Sequence, residues 1–468
     1  MSAINNSQHH VVLFPFMSKG HTIPLLHLSR LLLRRRIAVT IFTTPANRPF
    51  IANSLRENSS FSIIDIPFPE NIPEIPPGIE STDKLPSISL FPQFALSTKN
   101  MQPDFESELE RLPRVDFMVS DGFLWWTLDS ANKFGFPRLV FFGMSTYSPC
   151  VTRAAFEDKL LFGPESDTDP MTLTRFPWIQ VIKRDFDPLA TDPETLAEFN
   201  MLSIGSLLKS YGVIMNTFYE LEPVFVDDYN SRHGEPKGWC VGPLCLADDG
   251  PEKPNKPNWI LDWLDQKPEQ GRSVLYIAFG SQAEISTDQI KEIAIGLEKS
   301  GVDFLWVIRK SEAELGEGFE ERVKGRGIVV RDWVNQREIL EHQSVQGFLS
   351  HCGWNSVLES LCAGVPILAW PMMAEQPLNA KLVVEEIKVG LRVDNTTSEG
   401  FVKWERLEKM VKELMEGDRG KKVRENVKVI ADIAKKAMEE NSGSSWKTLD
   451  LLIQEICDRP NKGTEVLN

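Results

Sequence analysis

GFLSHCGWNSVLESL, residues Gly347–Leu361, reads as a short buried strand that runs through a polar turn into a helix. The strand ends near Ser350. The helix starts near Trp354 or Asn355 and continues through Leu361, and Gly353 permits the tight turn between them. A strand feeding a helix in this way is the building unit of a parallel α/β sheet. Ligands of such sheets sit outside the carboxyl ends of the strands. The helix start offers backbone N–H groups and a partial positive charge, which suits an anion such as a diphosphate. His351, Asn355 and Ser356 would add side-chain donors.

The same alternation extends outward in both directions. Apolar runs at Val11–Phe16, Ile37–Phe42, Ile63–Ile66, Phe117–Val119, Leu139–Phe142 and Val213–Met215 predict strands in the first half, with an amphipathic helix over about His21–Arg36. A second series comprises strands at Ser273–Phe279, Phe304–Ile308, Ile328–Val330, Gly347–Ser350 and Pro366–Ala369, a helix over Thr287–Lys299, and a charged helical end from about Trp404 to Ile456. The stretch from Asp248 to Pro257 holds three prolines and one glycine and is the best linker candidate. Pro67–Pro92 reads as a long irregular loop, a kind of segment often used in function. The expected organisation is a domain over 1–247, a linker over 248–262, a second domain over 263–445, and a helical tail over 446–468 that packs back on the first domain. Both halves have the pattern of doubly wound α/β domains.

Composition narrows the function. A chain of 468 residues exceeds one ordinary core, and 42% hydrophobic residues fit a folded globular protein. The net charge of −15 disfavours nucleic acid or an anionic membrane as partner, while leaving room for a small anionic ligand at a local site. None of the six cysteines forms a C-x-x-C pair, so the chain reads as a reduced, cytoplasmic protein. The apolar run at Val11–Phe16 is too short for a signal sequence or a membrane span. The acceptor-like triplets at Asn5, Asn58 and Asn395 therefore carry no glycosylation argument. Neither a G-x-G-x-x-G nor a G-x-x-x-x-G-K-[ST] pattern occurs, which disfavours an NAD-dependent oxidoreductase and a P-loop NTPase.

Widened to Trp333–Gln376, the opening segment becomes WVNQREILEHQSVQGFLSHCGWNSVLESLCAGVPILAWPMMAEQ. It resembles, without gaps, the plant secondary-product glycosyltransferase signature of the family 1 UDP-glycosyltransferases, and the wider resemblance covers essentially the whole chain. Asn335 stands where that family usually has proline, and Glu375 where aspartate is commoner; both changes keep the roles of their positions. The resemblance implies a GT-B fold, two Rossmann-like domains facing each other across a cleft, with acceptor binding in the first and UDP-sugar binding in the second. It implies that Trp333 stacks on uracil and the Val334 backbone pairs with it. Gln336 and Glu359 would hold the ribose, and Ser281, His351, Asn355 and Ser356 the diphosphate. Trp354, Glu375 and Gln376 would bind the sugar, with Gln376 favouring glucose. Taken singly, Trp333 reads as a packing residue, Glu359 as a solvated one, and Asn355 and Ser356 as helix caps; their joint spacing is what points to a nucleotide sugar.

Transfer to a hydroxyl needs a base. His21 follows the first strand at a helix start with Pro24 close behind, where imidazolium is disfavoured. Asp121 ends the strand begun at Phe117 and could orient His21 as in a triad. By resemblance these two form the family's catalytic dyad. His27 reads as packing, His9 and His10 as a disordered tail, and His233 and His342 as without a role. Phe16, Phe91, Phe94, Phe123, Trp125, Phe142 and Met144 are acceptor-pocket candidates by position, and an aromatic pocket suits a flavonoid-like phenol. The expected reaction is inverting transfer from UDP-glucose as co-substrate, with no cofactor and no metal, giving a β-glucoside. The D-x-D patterns at Asp167–Asp169 and Asp185–Asp187 fall outside the nucleotide segment. C-glucosylation by the same base and a non-catalytic nucleotide-sugar-binding protein stay open as alternatives. A monomer without stable membrane insertion is expected.

Overall fold

Within single strands, successive side chains enter different apolar clusters. In β1 (His10–Phe14), Val11 and Leu13 join one cluster while Val12 and Phe14 join another. Both sheet faces are therefore covered, as a parallel sheet requires. The computed structural model describes residues 9–54, 60–162, 166, 168–186, 193–247, 259–280, 282–308, 315–393 and 401–458. The strands after β1 are β2 (Ala38–Thr43), β3 (Phe61–Asp65), β4 (Phe117–Asp121), β5 (Arg138–Phe142), a small antiparallel pair β6 (Met171–Thr172) and β7 (Gln180–Val181), β8 (Gly212–Met215) and β9 (Lys237–Cys240). The second series is β10 (Val274–Ala278), β11 (Asp303–Val307), β12 (Gly327–Val330), β13 (Val345–Ser350), β14 (Ile367–Ala369) and β15 (Gly390–Arg392).

The first sheet runs β3-β2-β1-β4-β5-β8-β9 and the second β12-β11-β10-β13-β14-β15, each parallel throughout. In each, the first strand of the series lies inside the sheet and the winding reverses beside it. The reversal falls between β1 and β4 in one sheet and between β10 and β13 in the other. These are the switch points where an α/β sheet opens a crevice for ligand.

The chain divides into two compact units. The first comprises Met1–Thr146, Pro188–Asp248 and Ala437–Asn468; the second comprises Tyr147–Asp187 and Asp249–Lys436. Residues 147–187 thus group with the second unit, whereas the sequence pattern leaves them in the first domain. In the first unit the helix Ser444–Cys457 sinks Trp446, Leu449, Leu452 and Ile456 into the cluster that also holds Val11, Leu28 and Trp239. Each such side chain contributes about 1.5–3 kcal/mol on burial. The Arg35 guanidinium lies 3.8 Å from the Trp446 ring centre and its Nε donates to Asp450 at 2.6 Å, pinning the helix from outside. In the second unit the helix Thr287–Ser300 is capped by Ser286, whose side chain accepts from the Gln289 N–H, and ends at Gly301 with φ 72°. It buries Ile290, Ile293 and Leu297 in one cluster with Leu407, Met410 and Leu414 of the helix Trp404–Met415.

Several expectations change. His10 is no disordered tail: it opens β1, is buried, and its ring contacts Thr40 Oγ1 at 2.8 Å and the Arg114 carbonyl at 3.2 Å. The first helix spans Lys19–Arg34, so it begins two residues early and Pro24 lies inside it. Pro24 has no N–H to offer the Gly20 carbonyl one turn back. β9 and β15 are additional strands. The Pro-rich stretch is irregular apart from short turns at Thr82–Lys84 and Ile88–Leu90 and runs into a helix, Phe91–Ser97. Among the described residues, no helix is long and apolar enough to cross a membrane.

Candidate functional site

The carboxyl ends of β1 and β4 hold the first group. β4 ends on Asp121, and the helix after β1 brings His21 to it. His21 Nδ1 lies 2.7 Å from Asp121 Oδ2. A carboxylate only accepts, so in the tautomer that fits this contact Nδ1 donates to Asp121 and the ring's lone pair lies on Nε2. Asp121 is fully buried, and its other oxygen accepts from the Phe123 N–H at 2.9 Å. The His21 side chain keeps 22% of its surface exposed, enough to meet a substrate. No acidic residue occupies the first turn of its helix.

Aromatic rings surround the imidazole. Phe123 lies 4.9 Å and Phe16 5.8 Å from it, centre to centre. Phe123 also meets Phe91, Phe142 and Phe199 at 5.3, 6.2 and 5.3 Å. Phe16 and Phe94 are fully buried, so they shape the wall from behind, whereas Phe91, Phe123, Phe142 and Met144 are half-buried. Trp125 is half-buried with the Lys99 ammonium 5.2 Å from its ring centre. Phe199 was not anticipated; it lies on the helix Pro193–Leu207, far away in the chain.

The second group gathers at the carboxyl ends of β10 and β13. The helix Trp354–Ala363 starts there with Gly353 at its N-cap, no side-chain cap and no acid in its first turn. The left-handed residue of the turn is Cys352 at φ 64°, not Gly353, whose φ is −58°. Gly353 is needed for space instead. A Cβ there would come within 2.5 Å of His351 Nε2, and one on Gly280 within 2.7 Å. The two glycines make a slot for the imidazole. Burial pushes His351 down to about 4, with the Ala278 backbone pulling the other way, so the ring is neutral at pH 7. Its Nδ1 is buried with no hydrogen-bond partner among the described residues, an arrangement that costs about 1–3 kcal/mol unless a ligand fills it.

Gln336, Ser356 and Glu359 form one network. Gln336 Nε2 donates to Ser356 Oγ at 2.8 Å and to Glu359 Oε2 at 2.7 Å. The Tyr276 hydroxyl donates to Gln336 Oε1 at 3.3 Å and so fixes which way the amide faces. Tyr276 is buried in β10 and stacks on Phe348. Burial raises the Glu359 carboxyl to about 7, against the Gln336 hydrogen bond and the Arg337 charge. Trp333 is 60% exposed, so its ring is open to a ligand and not packed in a core. Val334 is half-buried at the edge of the β10 cluster. Asn335 caps the helix Gln336–Leu340 by accepting from the Glu338 N–H, which accounts for asparagine at this position.

Trp354 is only 2% exposed, so its indole is core and only its main chain can meet a ligand. Asn355 is half-buried on the same first turn. Gln376 Oε1 accepts from the Met372 and Met373 N–H groups at 3.0 and 3.1 Å, and Asn379 Nδ2 bridges the Cys352 carbonyl and Glu375 Oε1 at 3.0 and 3.3 Å. The Glu375–Gln376 corner is therefore tied to the His351 turn. Asp185 is buried, accepts from the Ile182 N–H at 2.9 Å and faces Lys381 and Arg392 at 3.9 Å each, so its carboxylate serves as an anchor. Ser281, Asp167 and Asp187 lie outside the described residues. Tyr276, Asn379 and Phe199 escaped the sequence reading because their contacts come from distant segments and no local spacing announces them.

A family model described as UDP-glucoronosyl and UDP-glucosyl transferase matches residues 249–438. UDP-glycosyltransferase 90A1 of Arabidopsis thaliana is 56% identical, covering 97% of this chain and 98% of its own. The UDP-glucose flavonoid 3-O-glucosyltransferase 7 of Fragaria ananassa is 35% identical over 96% of each chain. The crystal structure of Glycyrrhiza uralensis UGT73P12, complexed with glycyrrhetinic acid 3-O-monoglucuronide, superposes with a TM-score of 0.85 at 33% identity, covering 96% of this chain and 95% of that one. Two doubly wound sheets, an uncapped helix start on one, a histidine–aspartate pair on the other and relatives matched end to end lead to one assignment: the chain belongs to the plant UDP-glycosyltransferases and has the GT-B fold.

Proposed function

We propose that this enzyme transfers glucose from UDP-glucose to a hydroxyl of a small phenolic, flavonoid-like acceptor, with inversion at the anomeric carbon. The observation that carries the reading is the 2.7 Å contact between His21 and the fully buried Asp121. In this scheme His21 Nε2 takes the acceptor proton as the acceptor oxygen forms its bond to the anomeric carbon. The bond from that carbon to the diphosphate oxygen breaks, and its electron pair leaves with UDP. Asp121 stabilises the imidazolium. An α-linked donor then gives a β-glucoside.

In the donor assignment Trp333 offers a face for uracil, Val334 its main chain, and Glu359, held by Gln336, an acceptor for the ribose hydroxyls. His351, Asn355, Ser356 and the uncapped helix start take the diphosphate, as does Ser281. Glu375, Gln376 and the Trp354 main chain meet the sugar. UDP-glucose is a co-substrate, and the scheme uses no metal. The phenolic acceptor is supported by the half-buried rings beside His21 and by the flavonoid named for the strawberry relative. A binding protein without catalysis would have no use for the buried dyad.

The test is turnover of UDP-glucose against a phenolic panel, with the anomeric coupling of the product read by NMR. An axial–axial coupling in an acid-labile product is expected. An acid-resistant product means transfer to ring carbon, and UDP-glucose binding without transfer to any phenol overturns the reading.

A further inference from the structure

Behind the dyad lies a cation that the proposed mechanism does not use. Arg138, the first residue of β5, is 1% exposed. Its Nε donates to Ser120 Oγ at 2.7 Å, and its Nη1 to Ser210 Oγ at 2.9 Å and Ser206 Oγ at 3.4 Å. Its Nη2 donates to the carbonyls of Asp121 at 3.3 Å and Leu124 at 3.5 Å. No carboxylate forms an ion pair with it among the described residues. A buried cation with no carboxylate in direct contact is uncommon, because a neutral side chain would fill the space more cheaply. Burial lowers its pKa to about 9, with Asp121 and then Asp129 opposing, so the guanidinium is charged at neutral pH.

We propose that Arg138 is a positioning residue for the dyad: it clamps the Asp121–Leu124 turn and supplies a fixed positive charge behind the Asp121 carboxylate. The inference rests on the dyad reading given above. Two consequences of the clamp reach His21. The turn carries the Phe123 N–H that holds Asp121 Oδ1, and it carries the Phe123 ring that lies 4.9 Å from the imidazole. The charge acts as well. A cation near Asp121 offsets part of the field that would hold a proton on His21, so the base is free at lower pH.

The groups facing these residues can be named. Around Arg138 they are Asp121 on β4, Asp129 on the helix Thr127–Phe134, and the hydroxyls of Ser120, Ser206 and Ser210. Around His21 they are Asp121 and the rings of Phe16 and Phe123, with the ion pair of Lys19 and Asp83, 3.2 Å apart, at the start of its helix.

The experiment titrates the His21 ring by NMR in the full chain labelled at histidine Cε1, with the resonance assigned by its loss in H21A. It compares wild type, R138M and R138K. R138M should move the His21 midpoint up by about one pH unit, while R138K, which keeps the charge, should leave it within about 0.2 units. In turnover, the acid limb of kcat/KM should rise with the R138M midpoint. R138K should lower kcat at least fivefold without moving the limb, since an ammonium cannot span the same acceptors. UDP affinity, carried by the other unit, should hold within twofold in both. An unmoved His21 midpoint in an R138M chain that still binds UDP overturns the proposal. If R138M does not fold, R138K decides it, and wild-type kcat in R138K across the pH range overturns it equally. The NMR midpoint needs no substrate, so failure of the proposed reaction would be seen separately, as absent turnover in the wild type.

Discussion

The slot around His351 makes a sharp prediction for Gly353→Ala. Alanine accepts the backbone at this position, where φ is −58° and ψ 140°, so the perturbation is purely one of space. The new Cβ would lie 2.5 Å from His351 Nε2, and ordinary contact begins near 3.4 Å. The imidazole or the helix start must yield by about 0.9 Å, and overpacking of this kind costs about 1–3 kcal/mol. Loss of a favourable N-cap residue adds up to about 1 kcal/mol. For a unit of this size each kcal/mol lowers Tm by about 2–4 °C, so a fall of roughly 2–16 °C is expected. In the proposed donor site, displacing the imidazole would remove a hydrogen bond to a charged ligand, about 1.5–3 kcal/mol, and so weaken UDP binding roughly ten- to hundredfold. Calorimetric titration with UDP and a thermal melt read both effects. Gly205→Ala is the control: nothing lies within 4 Å of its added Cβ, and it sits in the helix Pro193–Leu207. That change should leave UDP affinity untouched. Wild-type UDP affinity and Tm in Gly353→Ala would refute the argument that this glycine exists to make room for the ring.

Other perturbations separate the two groups of residues. Asp121→Asn should lower kcat/KM by about a thousandfold or more, because the imidazolium loses its charged partner, while UDP affinity in the same titration stays at its wild-type value. Tyr276→Phe frees the Gln336 amide to turn and should weaken UDP about three- to tenfold, with kcat little changed. Glu359→Gln has a pH-dependent sign. The Glu359 pKa is raised to about 7 in the fold, so the native state binds more protons than the unfolded chain between the ordinary carboxyl range and that value, and its contribution to stability falls as pH rises through the window. The glutamine variant should therefore melt higher than wild type at pH 8, by an amount on the order of 2 kcal/mol, and no higher at pH 4, while binding UDP more weakly at both.

How far the sequence could be read depends on what each feature rests on. The central strands were legible because β1, β4 and β10 are buried throughout and carry apolar runs. β9, Lys-Gly-Trp-Cys, and β15, Gly-Leu-Arg, are short edge strands whose composition carries no such run. The residues proposed for the donor could be picked out together because most of them crowd into one segment with fixed spacing. Arg138 was not, since an arginine at a strand start looks like a solvated end until its hydroxyl cage is seen. Gly353 was found for the wrong reason: glycine suggests a turn, but only the His351 ring shows that the missing Cβ matters more than φ. The membership of 147–187 in the second unit was invisible because periodicity describes an element and not the neighbour it packs on.

The first unit draws on three separate stretches of chain, the last containing the helix Ser444–Cys457, which joins the cluster around Val11 and Trp239. During synthesis, then, the unit whose strands emerge first cannot be completed until the second unit has been made in full. Its apolar face must wait, open to chaperones or to neighbouring nascent chains, for a helix encoded more than 400 residues after β1. The two units are separable as structure but not as genes. A chimaera joined only within residues 248–258 would import a foreign closing helix along with a foreign second unit, and its first failure would be one of folding yield before any question of specificity arose.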